Sequence, residues 1–291
     1  MIMKCRGHIK GVKENMDNRL LQWHPAFYAG IQIEFYRESD KLIFESEHNL
    51  SKKPMQIDVL VIKKIAEDVI HKNIGRIFKK YNIVEYKSPT DYLSIDDFYK
   101  VYGYTCFYKS EAKTVDSIKI TDLTITFVCR KYPKDLVDHL RKIRGLGLEK
   151  TDEGIYYITK DIVPMQLLVT SELLEKENLW LKCLTNDLED IVTIDRLSEE
   201  YGAHEHEELY KSIMNVIVRA NKERFKEATN MCEALRELWA DDLKEARNEG
   251  IKCMIESSKE CGGSWDKVFQ LVKDKFNVDS ETAEKCMQLY W

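Results

Sequence analysis

A chain of 291 residues with 44% hydrophobic positions, 5 Pro and 12 Gly can bury one sizeable core and still extend beyond it. Its net charge of −5 excludes a protein that coats nucleic acid by bulk electrostatics, so any affinity for DNA has to come from a local basic patch. The eight cysteines include no Cys-x-x-Cys pair, which predicts reduced thiols rather than a zinc site, and no apolar run is long enough to span a bilayer, which predicts a cytoplasmic protein without membrane contact.

Residues 1–20 read as a polar N-terminal tail. A helix is expected around 24–38, where Phe27 and Ile31 recur at helical spacing and Glu34, seven residues after Phe27, falls on the same inward face. Strands are expected over 41–47 and 56–63, the second with Asp58 at the head of the run Val59, Leu60, Val61, Ile62. Between 63 and 81 lies a locally basic segment with Lys72, Arg76, Lys79 and Lys80. It is either a solvated helix face or a contact for phosphate that offsets the repulsion of nearby carboxylates. The run 83–87 is a further strand, and because side chains alternate along a strand, Ile83, Glu85 and Lys87 share one face.

Ser88-Pro89-Thr90-Asp91 breaks that strand, and Ser94 followed by Asp97 predicts the cap of a helix over 95–109. Its Phe98, Tyr102 and Phe107 are expected to be mostly core, with Tyr102 the one placed to line a cleft and stack an unpaired base. A strand over 123–130 follows, then a basic helix closed by Gly145-Leu146-Gly147, and late strands at 154–158 and 165–169. Beyond 176 the chain turns helical and charged. Leu209, Ile213, Val216 and Ile217, continued by Met231, Leu235 and Leu238, make an apolar stripe over 205–248 that predicts a helical hairpin or coiled-coil arm, able to self-associate or to dock on the core. Two short helices are expected over 264–290. The organisation read from the chain is a tail (1–20), an α/β core (21–175) and a helical extension (176–291).

Acids in otherwise apolar strands are costly to bury, and a metal is one reason to place them there. Mg²⁺ or Mn²⁺ needs only one or two carboxylates beside substrate phosphate, and Asp58 and Glu85 would suffice, with the Tyr86 carbonyl as a further oxygen and Glu34 completing the shell. Lys87 would position or polarise the attacking water, or neutralise charge on the scissile phosphate. The alternative is that Asp58 caps a turn while Glu85 and Lys87 form a structural ion pair.

The order helix with Glu34, strand with Asp58, strand with Glu85-x-Lys87 resembles the PD-(D/E)XK nuclease superfamily over roughly residues 21–171, and by layout its bacterial recombination-promoting nuclease and transposase-associated branch. Pro54 stands four residues before Asp58, so the Pro-Asp dipeptide of the family name is missing. The resemblance implies a restriction-endonuclease-like α/β core with a mixed central sheet flanked by helices, a DNA substrate and a Mg²⁺-dependent endonuclease acting through Glu34, Asp58, Glu85 and Lys87. Symmetrical cutting of a duplex would favour a homodimer through the C-terminal helices. A different class remains open, a non-catalytic scaffold that keeps the fold. Serine-hydrolase, P-loop and dinucleotide-binding signatures are absent from the sequence.

Overall fold

The computed structural model of the chain describes residues 21–45, 60–65, 68–112, 114–227, 233–276 and 278–291. Two compact units divide it, one reaching to Asn230 and the other comprising Met231–Trp291. The division falls later than the boundary expected at 175.

The first unit is built on a seven-stranded mixed sheet. Helix α1 (Trp23–Glu34) and a short 3-10 segment (Tyr36–Lys41) lead into β1 (Leu42–Glu45), then β2 (Leu60–Lys64) and β3 (Tyr81–Tyr86). Helix α2 (Ile95–Ser110), β4 (Leu123–Cys129), α3 (Lys134–Ile143), β5 (Gly147–Asp152), β6 (Ile155–Thr159) and β7 (Met165–Val169) follow. The strand order is β1-β2-β3-β4-β7-β6-β5, with β3, β4 and β7 mutually parallel and the flanking pairs antiparallel. Helices α2 and α3 are the crossovers that parallel neighbours require.

The two faces of β3 carry different residues. Ile83 joins Ile125, Phe127, Met165 and Leu167 in one core beneath Phe98 and Val101 of α2 and Leu136, Val137 and Leu140 of α3. The alternate residue Tyr86 faces the other way, where its ring stacks on Phe27 of α1 at 4.2 Å between centroids and 4° between planes. That face is closed further by α4 (Glu175–Cys183) and α6 (Glu208–Ala220), both packed on α1, with α5 (Ile191–Ala203) and α7 (Lys222–Glu227) beside α6. Gly30 permits the α1–α6 approach, since a Cβ there would lie 2.6 Å from Ile213 Cδ1.

The second unit is three helices, α8 (Glu233–Glu260), α9 (Trp265–Phe276) and α10 (Ser280–Tyr290), closed around Ile251, Ile255, Val268, Val272, Ala283 and Met287. Leu271 of α9 is 42% exposed.

Several expectations change. The segment between β2 and β3 forms no helix among its described residues beyond one 3-10 turn, Asn73–Gly75. It is pinned by acids, because Glu38 accepts the backbone N–H of His71 at 2.7 Å and of Lys72 at 3.2 Å. Of the two outcomes open for the stripe, its part at Ile213, Val216 and Ile217 docks on the core, buried within the first unit. Phe107, expected in the core, is 51% exposed, and β5 was not anticipated at all. No helix among the described residues is long and apolar enough to cross a membrane. Gly30→Val should cost about 1–3 kcal/mol by overpacking the α1–α6 contact, and adding Ile213→Ala should make the pair less costly than the sum of the singles, as measured by urea unfolding.

Candidate active site

Strand β3 runs through the middle of the sheet, and only at its carboxyl end does it change character. Lys87 extends the ladder by donating its N–H to Val128 O at 2.9 Å, which keeps its side chain on the Glu85 face. Glu85 is 5% exposed, and the Lys87 ammonium lies 3.1 Å from its Oε1. Burial pushes the Glu85 carboxyl above its usual range, with Lys87 opposing that rise. For Lys87 burial acts downward, but bonds to Asp97 and Glu85 outweigh it and hold the ammonium above its usual value.

The third member comes from α2. Ser94 and Asp97 form a reciprocal capping box, with Asp97 N–H donating to Ser94 Oγ at 3.2 Å and Ser94 N–H donating to Asp97 Oδ2 at 2.9 Å. The other oxygen, Asp97 Oδ1, accepts from Lys87 Nζ at 2.8 Å. Burial would raise the Asp97 carboxyl, yet the bonds from Lys87 and Ser94 bring it below its usual range. One turn on, exposed Lys100 lies over the Tyr104 ring at 5.6 Å and its charge reaches Glu85. Sequence reasoning found Asp97 as a cap and missed it as a partner of Lys87.

Glu34 lies elsewhere. Helix α4 is interrupted at Asn178 (φ −142°, ψ 54°), which leaves the next amides without helical acceptors. Glu34 accepts two of them, Trp180 N–H at 3.0 Å and Leu181 N–H at 3.2 Å, and pairs with Lys72 Nζ at 2.6 Å. Lys72 also donates to Glu177 O. Burial pushes the Glu34 carboxyl upward against the pull of Lys72 and the two amides. Since α1 covers the Tyr86 face, Glu34 and Glu85 belong to opposite sides of the sheet. The structure does not bring them together, and Lys72 is committed to a structural pair rather than free for phosphate.

The remaining expected residues divide similarly. Asp58 lies outside the described residues; Leu60, two positions later, pairs with Val84 beside Glu85. The Tyr86 side chain is spent on Phe27 and His24, and its buried hydroxyl has no partner among the described residues. Tyr102 does not line the Glu85 cleft: its hydroxyl donates to Asp161 Oδ1 at 2.9 Å, and the Arg144 guanidinium covers its ring at 4.7 Å while pairing with Asp161. Arg76, Lys79 and Lys80 are exposed, but precede Tyr81 at the amino end of β3. Five residues of strand put Lys80 about 16 Å from Glu85.

Among the described residues, no three His, Cys, Asp or Glu side chains gather where they could hold a metal ion. On the other face, a concavity of about 330 Å³ of mixed character is lined by Arg130, Lys182, Asp187 and Thr193 together with Cys183 and Leu188. Its charges are largely internal, with Arg130 on Asp187 at 2.5 Å and Lys182 Nζ on two backbone carbonyls.

Comparison of the chain with protein-family models, with curated proteins and with solved structures finds no match. Glu34→Ala should cost about 3–5 kcal/mol, because it strands Lys72 and two amides. Glu34→Leu combined with Lys72→Met should cost less than the sum of the two singles, as read by urea unfolding. Tyr102→Phe should cost only about 1 kcal/mol and leave any nucleic-acid affinity unchanged.

Proposed function

We propose that this chain is a metal-dependent DNA endonuclease on a restriction-endonuclease-like core. The observation that carries the reading is the buried Glu85 beside Lys87 on one face at the carboxyl end of β3. The order α1, β1, β2, β3, α2, β4 supports it, with an antiparallel meander followed by a parallel strand and helices on opposite faces, the layout that the resemblance implies.

The donor chemistry fits a hard divalent cation. Glu85 Oε1 already faces one positive charge at 3.1 Å, and Mg²⁺ asks for few protein oxygens. Glu85 and Asp58 would hold it, with the Tyr86 carbonyl in reach of the same strand end; Glu34 is withdrawn from this role by its bonds to α4. When bound, the ion lowers the pKa of a coordinated water and polarises a phosphoryl oxygen. Lys87 directs a compact charge at the developing negative oxygen, a role that a delocalised guanidinium fills less well. Lys100, exposed beside the site, supplies a contact for phosphate.

One observation favours a second reading, a non-catalytic scaffold of the same fold: Lys87 is satisfied on both sides by carboxylates, the closed arrangement of a structural ion pair. The two readings separate on metal. A nuclease should show a Mg²⁺- or Mn²⁺-dependent rise in Tm, equivalent to about 2.7 kcal/mol at a hundred times Kd, absent in Glu85→Ala. Nicking of supercoiled plasmid should fall by at least about 100-fold in Glu85→Ala and in Lys87→Ala. A wild type without metal response and without nicking would favour the scaffold, whereas equal nicking in all three proteins would mean a contaminant or another site and overturn the assignment of Glu85 and Lys87.

A further inference from the structure

The α2 cap and the β3 ion pair share one carboxylate. Asp97 Oδ2 takes the Ser94 N–H at 2.9 Å and the Ser94 hydroxyl at 2.7 Å, which fixes the carboxylate's plane and aims Oδ1 at Lys87 Nζ. A cap needs only one of these oxygens; Asp at this position is also shorter than the Glu or Gln usual in a capping box. The Lys87 stem leaves β3 at its last ladder bond and has no other carboxylate contact than Glu85 and Asp97 among the described residues.

We propose that Asp97 is a positioning residue for Lys87: it keeps the ammonium at the strand end when Glu85 is given over to a metal ion. This rests on the nuclease reading above. With Glu85 alone as partner, Lys87 and a divalent cation would compete for one carboxylate, and binding the cation would repel the ammonium from the place where it acts. A second carboxylate removes the conflict. Asp97 is anchored to the backbone of α2, so the ammonium is referred to a rigid element rather than to a mobile loop. The device needs a helix that starts directly beside the strand end, which the seven residues between Lys87 and Ile95 provide.

The test uses the full chain. Asp97→Asn keeps an oxygen for the Ser94 N–H, so the helix start is preserved, but it cannot hold the ammonium as an ion pair. Asp96→Asn removes the same charge one residue away, on the exposed side of the first turn. Acetylation of Lys87 by a water-soluble succinimidyl ester, followed by peptide mass spectrometry, should be at least about threefold faster in Asp97→Asn than in wild type and unchanged in Asp96→Asn. The Mg²⁺-dependent rise in Tm should persist in Asp97→Asn, while kcat for plasmid nicking falls at least about tenfold with KM within about twofold. Should Asp97→Asn not fold, Asp97→Glu, which displaces the charge by one methylene, is read in its place with the same directions. Equal labelling in wild type and Asp97→Asn overturns the proposal, and so does loss of the Tm response, which would make Asp97 a metal ligand. A wild type that neither nicks DNA nor responds to Mg²⁺, with the labelling difference intact, overturns the nuclease reading and leaves the Asp97–Lys87 bond structural.

Discussion

Strands β3, β4 and β7 are buried on both faces, and that constraint shapes the rest of the first unit. All seven residues of β4 and all five of β7 are buried, so the sheet cannot stand with one face in water and must be roofed by helices on each side. Parallel pairing leaves the crossovers α2 and α3 on one face, and the other has to be covered by helices from both ends of the chain segment, α1 from before the sheet and α4 to α7 from after it. This is why residues up to 227 belong with the core. An apolar stripe on α6 that looks free in sequence is the roof of the second face.

The same burial makes an unpaired polar group in the central strands costly, and the amide side chains there are spent on neighbouring segments. Asn82, fully buried, accepts from Lys79 N–H and from the Thr124 hydroxyl and donates to Ile62 O and Lys79 O. Gln166 donates to Ile74 O and to Thr126. These bonds fasten the irregular stretch between β2 and β3 to the sheet, and Glu34 and Glu38 fasten it to α1 and the turn after it. Each of these polar groups holds backbone through at least one of its bonds. The pair at the other end of β3 holds none: Glu85 and Lys87 bind side chains only, and Lys87 keeps part of its surface in solvent. That contrast, rather than charge alone, separates a candidate site from structural polarity.

The legible part of the fold was its apolar periodicity. The runs at 60–63, 83–86, 123–129 and 165–169 are short and mostly apolar, and the cap at Ser94 announces α2. Strand β5 escaped because its Glu149, Lys150 and Thr151 face water at the sheet edge, where charge protects against edge pairing and leaves no alternation to read. The Glu85-x-Lys87 pairing was legible from strand geometry. Glu34 was legible as inward-facing but not as a cap, since the amides that claim it lie 146 and 147 residues away and are freed by a kink at Asn178 that no local signal marks.

Two carboxylates that look equivalent in the sequence thus end in opposite circumstances, and the difference is one of what competes for them. Glu34 faces two directed amides and an ammonium, all delivered by elements that the fold must join, so surrendering it to a ligand would release α4 and the β2–β3 segment together. Glu85 faces a single ammonium that a second carboxylate also holds. Exchanging that ammonium for a divalent cation disturbs no backbone bond and leaves no buried charge unpaired. A carboxylate can serve a ligand only where the fold does not need it, and by that measure the carboxyl end of β3 is where the described core can give up an acid without giving up structure.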